Sequence, residues 1–431
     1  MIANEKVTPT HYAPRVRVVA ASSCAAAVPT QPAAARATAT AAEPGSRRGW
    51  ASVGAVALGA FVVVMTETMP VGLLPRIADG LHVSLGLAGL MVLVPGLSAA
   101  LSAPLFFLGS GRFNRRSVIL VLGLTVLVSN AVVAVAPDFA LVLIARMFFG
   151  ATLGAFWTVV PPIGPKLVGP ARGTRAISVI AAGISGGTVV GLPAGQFLGN
   201  LLGWRLTFAA AAALTLLIVA VQAVALPSIP PGGRTRLRDL AAVVTRPAAR
   251  LAMAAGAVAF IGQFAAWTYI TPFLMDHTRL PSGVISLLYV IYGCGGIVGS
   301  LVAGALFKRG VIGSFAGAAT VVAALLIGLA SAGTLPWLAG LLLVLWGLFW
   351  GIVNPGTLVW ILGAAPETPE AASAVNVTNL QIALAAGSGL GAILVSSTTL
   401  QTVFLTAGSI VRASAVLAAV AARFVTLARS E

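Results

Sequence analysis

The sequence predicts an all-α polytopic membrane protein: twelve transmembrane helices arranged as two six-helix pseudo-symmetric bundles. Three observations predict it. Of 431 residues, 58% are apolar and 8% are charged, against about 25% charged in an ordinary soluble domain. Too few charges remain to form the polar skin of a soluble globule. Apolar runs of twenty or more residues recur along the chain, and each can cross ~30 Å of hydrocarbon as a helix. Closed barrels would instead show short alternating segments. Finally, matched residues recur at a fixed offset: Pro75/Pro272, Asp79/Asp276, Arg112/Arg309, Gly150/Gly347 and Gly154/Gly351 are each 197 apart. Gly191/Gly387 and Gly195/Gly391 are 196 apart. An ordered set of this kind marks an internal repeat.

Residues 1–49, rich in Ala, Pro, Thr and Ser with no period, read as a flexible cytoplasmic tail. Val18–Val28 is apolar but too short to span, and Cys24 within it leaves a processed leader as the alternative. The N-terminal bundle, 50–226, holds spans Ala51–Leu74, Ser84–Leu108, Ser117–Ala136, Phe139–Gly164, Ala176–Gly199 and Arg205–Leu226. A linker at 227–250 is the longest connection and divides the helices six and six. The C-terminal bundle, 251–422, holds Leu251–Phe273, Val284–Leu306, Val311–Ala330, Leu335–Leu358, Ala371–Ser396 and Thr402–Ala422. Residues 423–431 form a second cytoplasmic tail.

Charge supplies the orientation. With both termini inside, 21 of the 26 Lys/Arg lie on the cytoplasmic side, the positive-inside pattern. The net charge of +16 is therefore a topology signal rather than a sign of nucleic-acid binding. Two cysteines, Cys24 and Cys294, make no disulfide framework. His11, His82 and His277 lie outside the spans, and neither metal-ligand spacing nor a phosphate loop is present. An enzyme, a metal cofactor and direct ATP driving are not expected.

Glu67 is the one acid inside a predicted span. A carboxylate in hydrocarbon is expensive, so it must face a cavity or a partner, where it can take up and release a proton. Its position near the outer end leaves contact with interfacial water as the plainer reading. Arg146, at similar depth in the fourth span, is its obvious electrostatic partner; snorkelling or a structural pair is the alternative. Gly187, Gly191, Gly195 and Gly199 recur every four residues on one face, with Pro193 among them, for close helix packing or gating. Trp157, Gln263, Trp267, Tyr269, Trp346, Trp350, Asn354, Asn376, Asn379 and Gln381 are polar or aromatic within the spans and are candidates for a substrate cavity. Trp267 and Tyr269 equally suit an interfacial belt.

Several motifs have a familiar form: Thr66-Glu67-Thr68-Met69-Pro70-Val71-Gly72-Leu73-Leu74-Pro75, Gly111-Arg112-Phe113-Asn114-Arg115-Arg116, Arg146-Met147-Phe148-Phe149-Gly150 and Gly187-Thr188-Val189-Val190-Gly191-Leu192-Pro193-Ala194-Gly195. With Gly203-Trp204-Arg205 and Thr268-Tyr269-Ile270-Thr271-Pro272-Phe273, they make residues 51–422 resemble the major facilitator superfamily. The closest resemblance is to its twelve-helix bacterial branch of arabinose-type and purine-ribonucleoside-type efflux permeases. The resemblance implies a gating loop at Arg112, Arg115, Arg116 and Arg309, although Gly111 and Lys308 stand where an acid normally precedes the first arginine. It also implies proton coupling at the Arg146 motif and an antiporter pattern in the fifth helix. The expected activity is export of a small organic molecule (sugar, nucleoside or drug-like) by proton antiport with alternating access. No cofactor is expected beyond the proton gradient, and a bacterial inner-membrane monomer embedded in lipid is the expected form. Proton symport for uptake and a proton-independent facilitator are the alternatives.

Overall fold

The computed structural model describes residues 47–109, 113–160, 163–230, 237–332 and 334–427. Twelve helices in it are long and apolar enough to cross a membrane: α1 Arg47–Gly80, α2 Leu85–Phe106, α3 Arg115–Val135, α4 Phe139–Val159, α5 Arg175–Leu202, α6 Trp204–Ala225, α7 Pro247–Trp267, α8 Ser282–Phe307, α9 Val311–Ser331, α10 Pro336–Ala364, α11 Ala371–Ser397 and α12 Leu400–Ala422. All twelve correspond to the spans expected from sequence. The expected tails at 1–46 and 428–431, and Arg112, Arg234 and Arg236, lie outside the described residues.

Local chemistry sets the helix starts. Ser84 Oγ accepts the Leu87 N–H at 3.2 Å, Asn114 Oδ1 the Arg116 N–H at 2.9 Å, and Asp138 Oδ1 the Leu141 N–H at 2.9 Å. Each satisfies a backbone donor that the first helical turn leaves free. Pro247 and Pro336 open α7 and α10, where the missing N–H costs nothing. Between α5 and α6 the chain turns at Gly203, whose φ of 81° strongly favours glycine.

Four boundaries correct the sequence reading. The fourth span stops at Val159 rather than Gly164, just before Pro161-Pro162, which cannot supply helical N–H groups. The seventh stops at Trp267 rather than Phe273, and the chain continues as a short turn, Ile270–Pro272, and a π-helical turn, Phe273–His277. Pro272 has no N–H to give the Thr268 carbonyl, and Thr268 Oγ1 bonds Ser388 Oγ on α11 at 2.7 Å. α1 and α10 run past Pro75 and Pro355 to Gly80 and Ala364. The expected linker is partly helical, Leu237–Val244, with Val243 fully buried against the bundle.

The repeat is visible as packing. In the first half, Gly183, Gly187, Gly191 and Gly195 of α5 sit against the carbonyl oxygens of Ala57, Phe61, Met65 and Met69 on α1. In the second, Gly387 and Gly391 of α11 sit against those of Ile261 and Ala265 on α7. Every one of these pairs is 126 residues apart. Likewise Gly150 and Gly154 of α4 meet the carbonyls of Pro95 and Ala99 on α2, and Gly347 and Gly351 of α10 meet those of Tyr292 and Gly296 on α8, always 55 apart. A Cβ at any of these glycines would strike backbone. The glycine periodicity is thus a close-contact ladder between α1 and α5, with Pro193 buried inside α5.

The two bundles meet along α2 with α11 and α5 with α8. Specific contacts cluster toward the end remote from the arginine-rich loops. Thr271 Oγ1 donates to the Val71 carbonyl at 2.8 Å, Gly89 lies under the Tyr269 ring, Gly96 against Ala385, and Gly293 against Val189. Toward the basic end, the α2–α11 seam instead borders a cavity lined by Pro104, Val375, Thr378 and Ile382. The molecule is sealed at its far end.

Candidate functional site

Glu67 lies on α1 one helical turn before Val71, whose carbonyl receives the Thr271 hydroxyl from the other bundle. Thr66 and Glu67, consecutive on a helix, point about 100° apart. Thr66 is buried in the N-terminal bundle, whereas the half-buried Glu67 faces the opposite bundle, with its carboxyl in polar reach of the Gln381 side chain on α11. Gln381 is 6% exposed, and its Oε1 has no hydrogen-bond partner. The two side chains therefore face each other across the bundle interface, and Gln381 still holds an unused acceptor.

The expected Glu67–Arg146 pair does not form. Arg146 is fully buried on the other side of α1, where Nη1 donates to the Thr66 carbonyl at 3.4 Å and Nε and Nη2 have no partner. Its guanidinium lies 5.1 Å from the Phe149 ring centre and 4.9 Å from that of Phe208. Asn130 Nδ2 donates to Thr66 Oγ1 at 3.2 Å, and the unpartnered Asn130 Oδ1 adds a further unspent group. The consecutive placement of Thr66 and Glu67 explains the correction: similar depth did not mean a shared helix face. Asn130, the one amide in the third span, was the visible signal for the polar surroundings of Arg146.

Gln263 is likewise spent inside the core rather than offered to a cavity. Trp346 Nε1 donates to its Oε1 at 2.7 Å, and its Nε2 donates to the Tyr292 hydroxyl at 3.2 Å. Trp267 stacks on Tyr292 at 4.4 Å and meets Trp346 edge-on at 5.7 Å, which makes a rigid aromatic block instead of an interfacial belt. Tyr269 is also buried and presses on Gly89. The block anchors Tyr289, whose hydroxyl bonds Thr271 at 2.8 Å and so braces the far-end seal.

The other cavity candidates are dispersed. Trp350 is half-buried beside Phe260, with ring centres 5.0 Å apart, and Asn354 is exposed. Asn376 is buried, whereas Asn379 Nδ2 ties α11 to the Met253 carbonyl of α7 at 3.0 Å. Trp157 packs edge-on against Phe156, and its Nε1 is buried without a partner. In the gating-loop region, Arg116 Nη2 donates to the Ala223 carbonyl at 2.8 Å, and Arg115 Nη1 is buried and unpartnered. Arg309 is exposed.

At the sealed end, partial burial and then the Asp79 carboxylate hold the Asp276 carboxyl above the ordinary range. Arg76, bonded to Asn200, His277, bonded to Gln401, and Arg279 are further ionisable groups at this end. An acid raised in the sealed state stabilises that state at low pH. The contribution fades as pH rises from the ordinary carboxylate range through the raised value. Asp276→Asn is therefore expected to favour the seal at neutral pH. In a background with Cys24 and Cys294 replaced by serine, a cysteine at Ala88, which is fully buried in the seal, should react more slowly with a water-soluble maleimide in the variant, with a flatter pH dependence. Identical rates would remove Asp276 from the seal.

Comparison with known proteins fixes the family. The family model described as Major Facilitator Superfamily matches residues 56–388. The chain belongs to the major facilitator superfamily. It is 31% identical over 378 residues to the "Transcription regulatory protein OpdE" of Pseudomonas aeruginosa, covering 87% of this chain and 94% of that one. A "Purine ribonucleoside efflux pump NepI" of Escherichia coli O6:K15:H31 is 32% identical over 278 residues, 64% of this chain and 70% of that one. Among solved structures, a bacterial homologue of the human lysosomal transporter Spinster, inward-facing and unoccupied, superposes with a TM-score of 0.68 at 16% identity, covering 89% of this chain and 98% of that one. The human organic anion transporter MFSD10 gives 0.64 at 17% identity, over 86% and 99%. This superfamily member is a multi-pass membrane transporter and not an enzyme.

Proposed function

We propose that the protein exports a small organic molecule, a purine ribonucleoside or one of similar size and polarity, in exchange for protons by alternating access. The observation that carries the reading is the Glu67–Gln381 contact. A carboxyl from one bundle meets an amide from the other at the edge of the sealed seam, so a rocking motion of the bundles must break the pair that a proton would alter. Coupling needs a group whose protonation and whose conformational partner are the same site. The contacts that close the far end, Thr271 on Val71 and Tyr269 on Gly89, support a state shut on that side. The purine ribonucleoside efflux for which similar proteins are named supports the direction and the substrate class.

The arginine count supports a bacterial inner-membrane location with both termini and the linker in the cytoplasm. Reporter fusions at Arg115–Arg116, Lys166–Arg175 and Arg238–Arg250 are expected to read cytoplasmic, and those beside Asp79, Asp138 and Asp276 periplasmic. A periplasmic reading at Arg238–Arg250 would overturn the orientation. Substrate class is tested by counterflow in proteoliposomes preloaded with inosine, adenosine, arabinose or chloramphenicol. Accumulation of labelled ribonucleoside only with ribonucleoside inside supports the assignment, and exchange confined to arabinose or chloramphenicol would refute it.

A further inference from the structure

The cavity beside the α2–α11 seam lies away from Glu67, under the helix that connects the two bundles. A cavity of about 200 Å3, open on one side, is walled by Pro104 of α2, Leu240 and Val244 of the connecting helix, Met253 of α7, and Val375 and Ile382 of α11. The wall is almost wholly apolar, and Asn379, the amide on it, already gives an N–H to the Met253 carbonyl. A polar ligand would therefore find little to bond.

The open side faces lipid. Ile382 is 51% exposed, and Leu101 and Leu105, on the α2 turns beside Pro104, are each 70% exposed. In a spanning protein, such exposed apolar residues are acyl-chain contacts. The rim at the basic end carries a guanidinium held in place. Arg250 Nε donates to the carbonyl of Val244, a wall residue, at 2.8 Å. Arg250 is exposed, so the rest of its fork can meet an anion, and a planar fork suits phosphate. Arg246, two residues past Val244, bonds the Ala364 carbonyl at 3.2 Å and the Glu367 carboxylate at 2.7 Å, which clamps the connecting helix to the α10–α11 turn. An apolar slot open to hydrocarbon, with a fixed cation at the depth of the headgroups, matches one chemistry.

We propose that this cavity binds an anionic phospholipid, one acyl chain in the slot under Leu237–Val244 and its phosphate on Arg250. The lipid lies between α2 and α11 on the open side of the molecule, where it would hold those helix ends apart. The site does not depend on the transport reading, because binding is measured without substrate or gradient.

The test is native mass spectrometry of the full chain, titrated with phosphatidylglycerol or phosphatidylcholine, for wild type, Arg250→Gln and Ala374→Phe. Ala374 also lines the cavity, and its replacement by phenylalanine fills it. Wild type is expected to retain one phosphatidylglycerol preferentially. Arg250→Gln should bind it roughly tenfold more weakly, as for loss of one charge-assisted hydrogen bond, and lose the preference over phosphatidylcholine. Ala374→Phe should retain neither. Equal phosphatidylglycerol retention in wild type and Arg250→Gln, which changes only an exposed side chain, would overturn the proposal. Displacement of the lipid by a neutral amphipathic substrate, equally well in wild type and Arg250→Gln, would reassign the slot to substrate and overturn it too.

Discussion

Glu67→Gln is expected to reach the membrane at wild-type level and to lose gradient-driven export. Glutamine keeps the size of the side chain and its hydrogen-bonding reach to Gln381, so the packing of α1 on α5 and the contact across the seam persist. Only the ability to gain and lose a proton is removed. A coupling free energy of 1–3 kcal/mol corresponds to roughly 5–150-fold, and uphill export should fall by a factor in that range. Glu67→Asp should keep part of it, with a carboxyl that reaches less far. The pH response separates coupling from damage: wild-type export should change with pH, and the glutamine variant should not. Downhill substrate counterflow should survive in the glutamine variant, since the carrier can still rock. Equal export and equal pH response in both proteins would dismiss Glu67 from coupling.

Arg146→Leu is expected to stabilise the protein while disabling it. A buried ion with two of its donors unspent costs several kcal/mol, and exchanging buried charges for apolar groups often stabilises by 1–4 kcal/mol. Against this stand two ring contacts, each worth about 0.5–2 kcal/mol, and one long bond to the Thr66 carbonyl. Leucine fills much of the volume and needs no partner, so the unfolding temperature in detergent should rise by several degrees. Export should drop at least as far as in Glu67→Gln. The cation is expensive where it stands, and its unspent Nε and Nη2 point to a partner acquired elsewhere in the cycle. Arg146→Lys should show no such rise in unfolding temperature, because the buried charge remains, and should keep export only in part, because an ammonium lacks the planar fork. Unchanged export with raised stability would make Arg146 dispensable. A lowered unfolding temperature would mean that the cation is satisfied in place.

The twelve helices were legible because hydrocarbon sets their length, and length and apolarity are written directly in the sequence. The repeat was legible too, because glycines that let two backbones touch cannot be replaced freely. Gly150/Gly347 and Gly191/Gly387 therefore kept their spacing and reappear as the same contacts in both halves. The break after Trp267 was harder to see. Apolar character continues to Phe273, and only Pro272 with the hydroxyls of Thr268 and Thr271 betrays it. At the site, residue types were legible but their directions were not. Glu67 and Arg146 lie at similar depth, yet 100° of helix rotation separates Thr66, which faces Arg146, from Glu67, which faces Gln381. Gln263 has the composition of a ligand-binding amide, but Trp346 and Tyr292 use both of its ends. Contacts of that kind depend on which helices become neighbours, and only the fold decides that.

Exchange of protons for substrate is the central claim, and everted vesicles test it most directly. With an inward-acidic gradient established and reported by a fluorescent pH probe, addition of a transported ribonucleoside should dissipate the gradient in wild-type vesicles and leave it intact in Glu67→Gln vesicles. Substrate uptake into wild-type vesicles with no accompanying proton movement would contradict the account and leave a facilitator in its place.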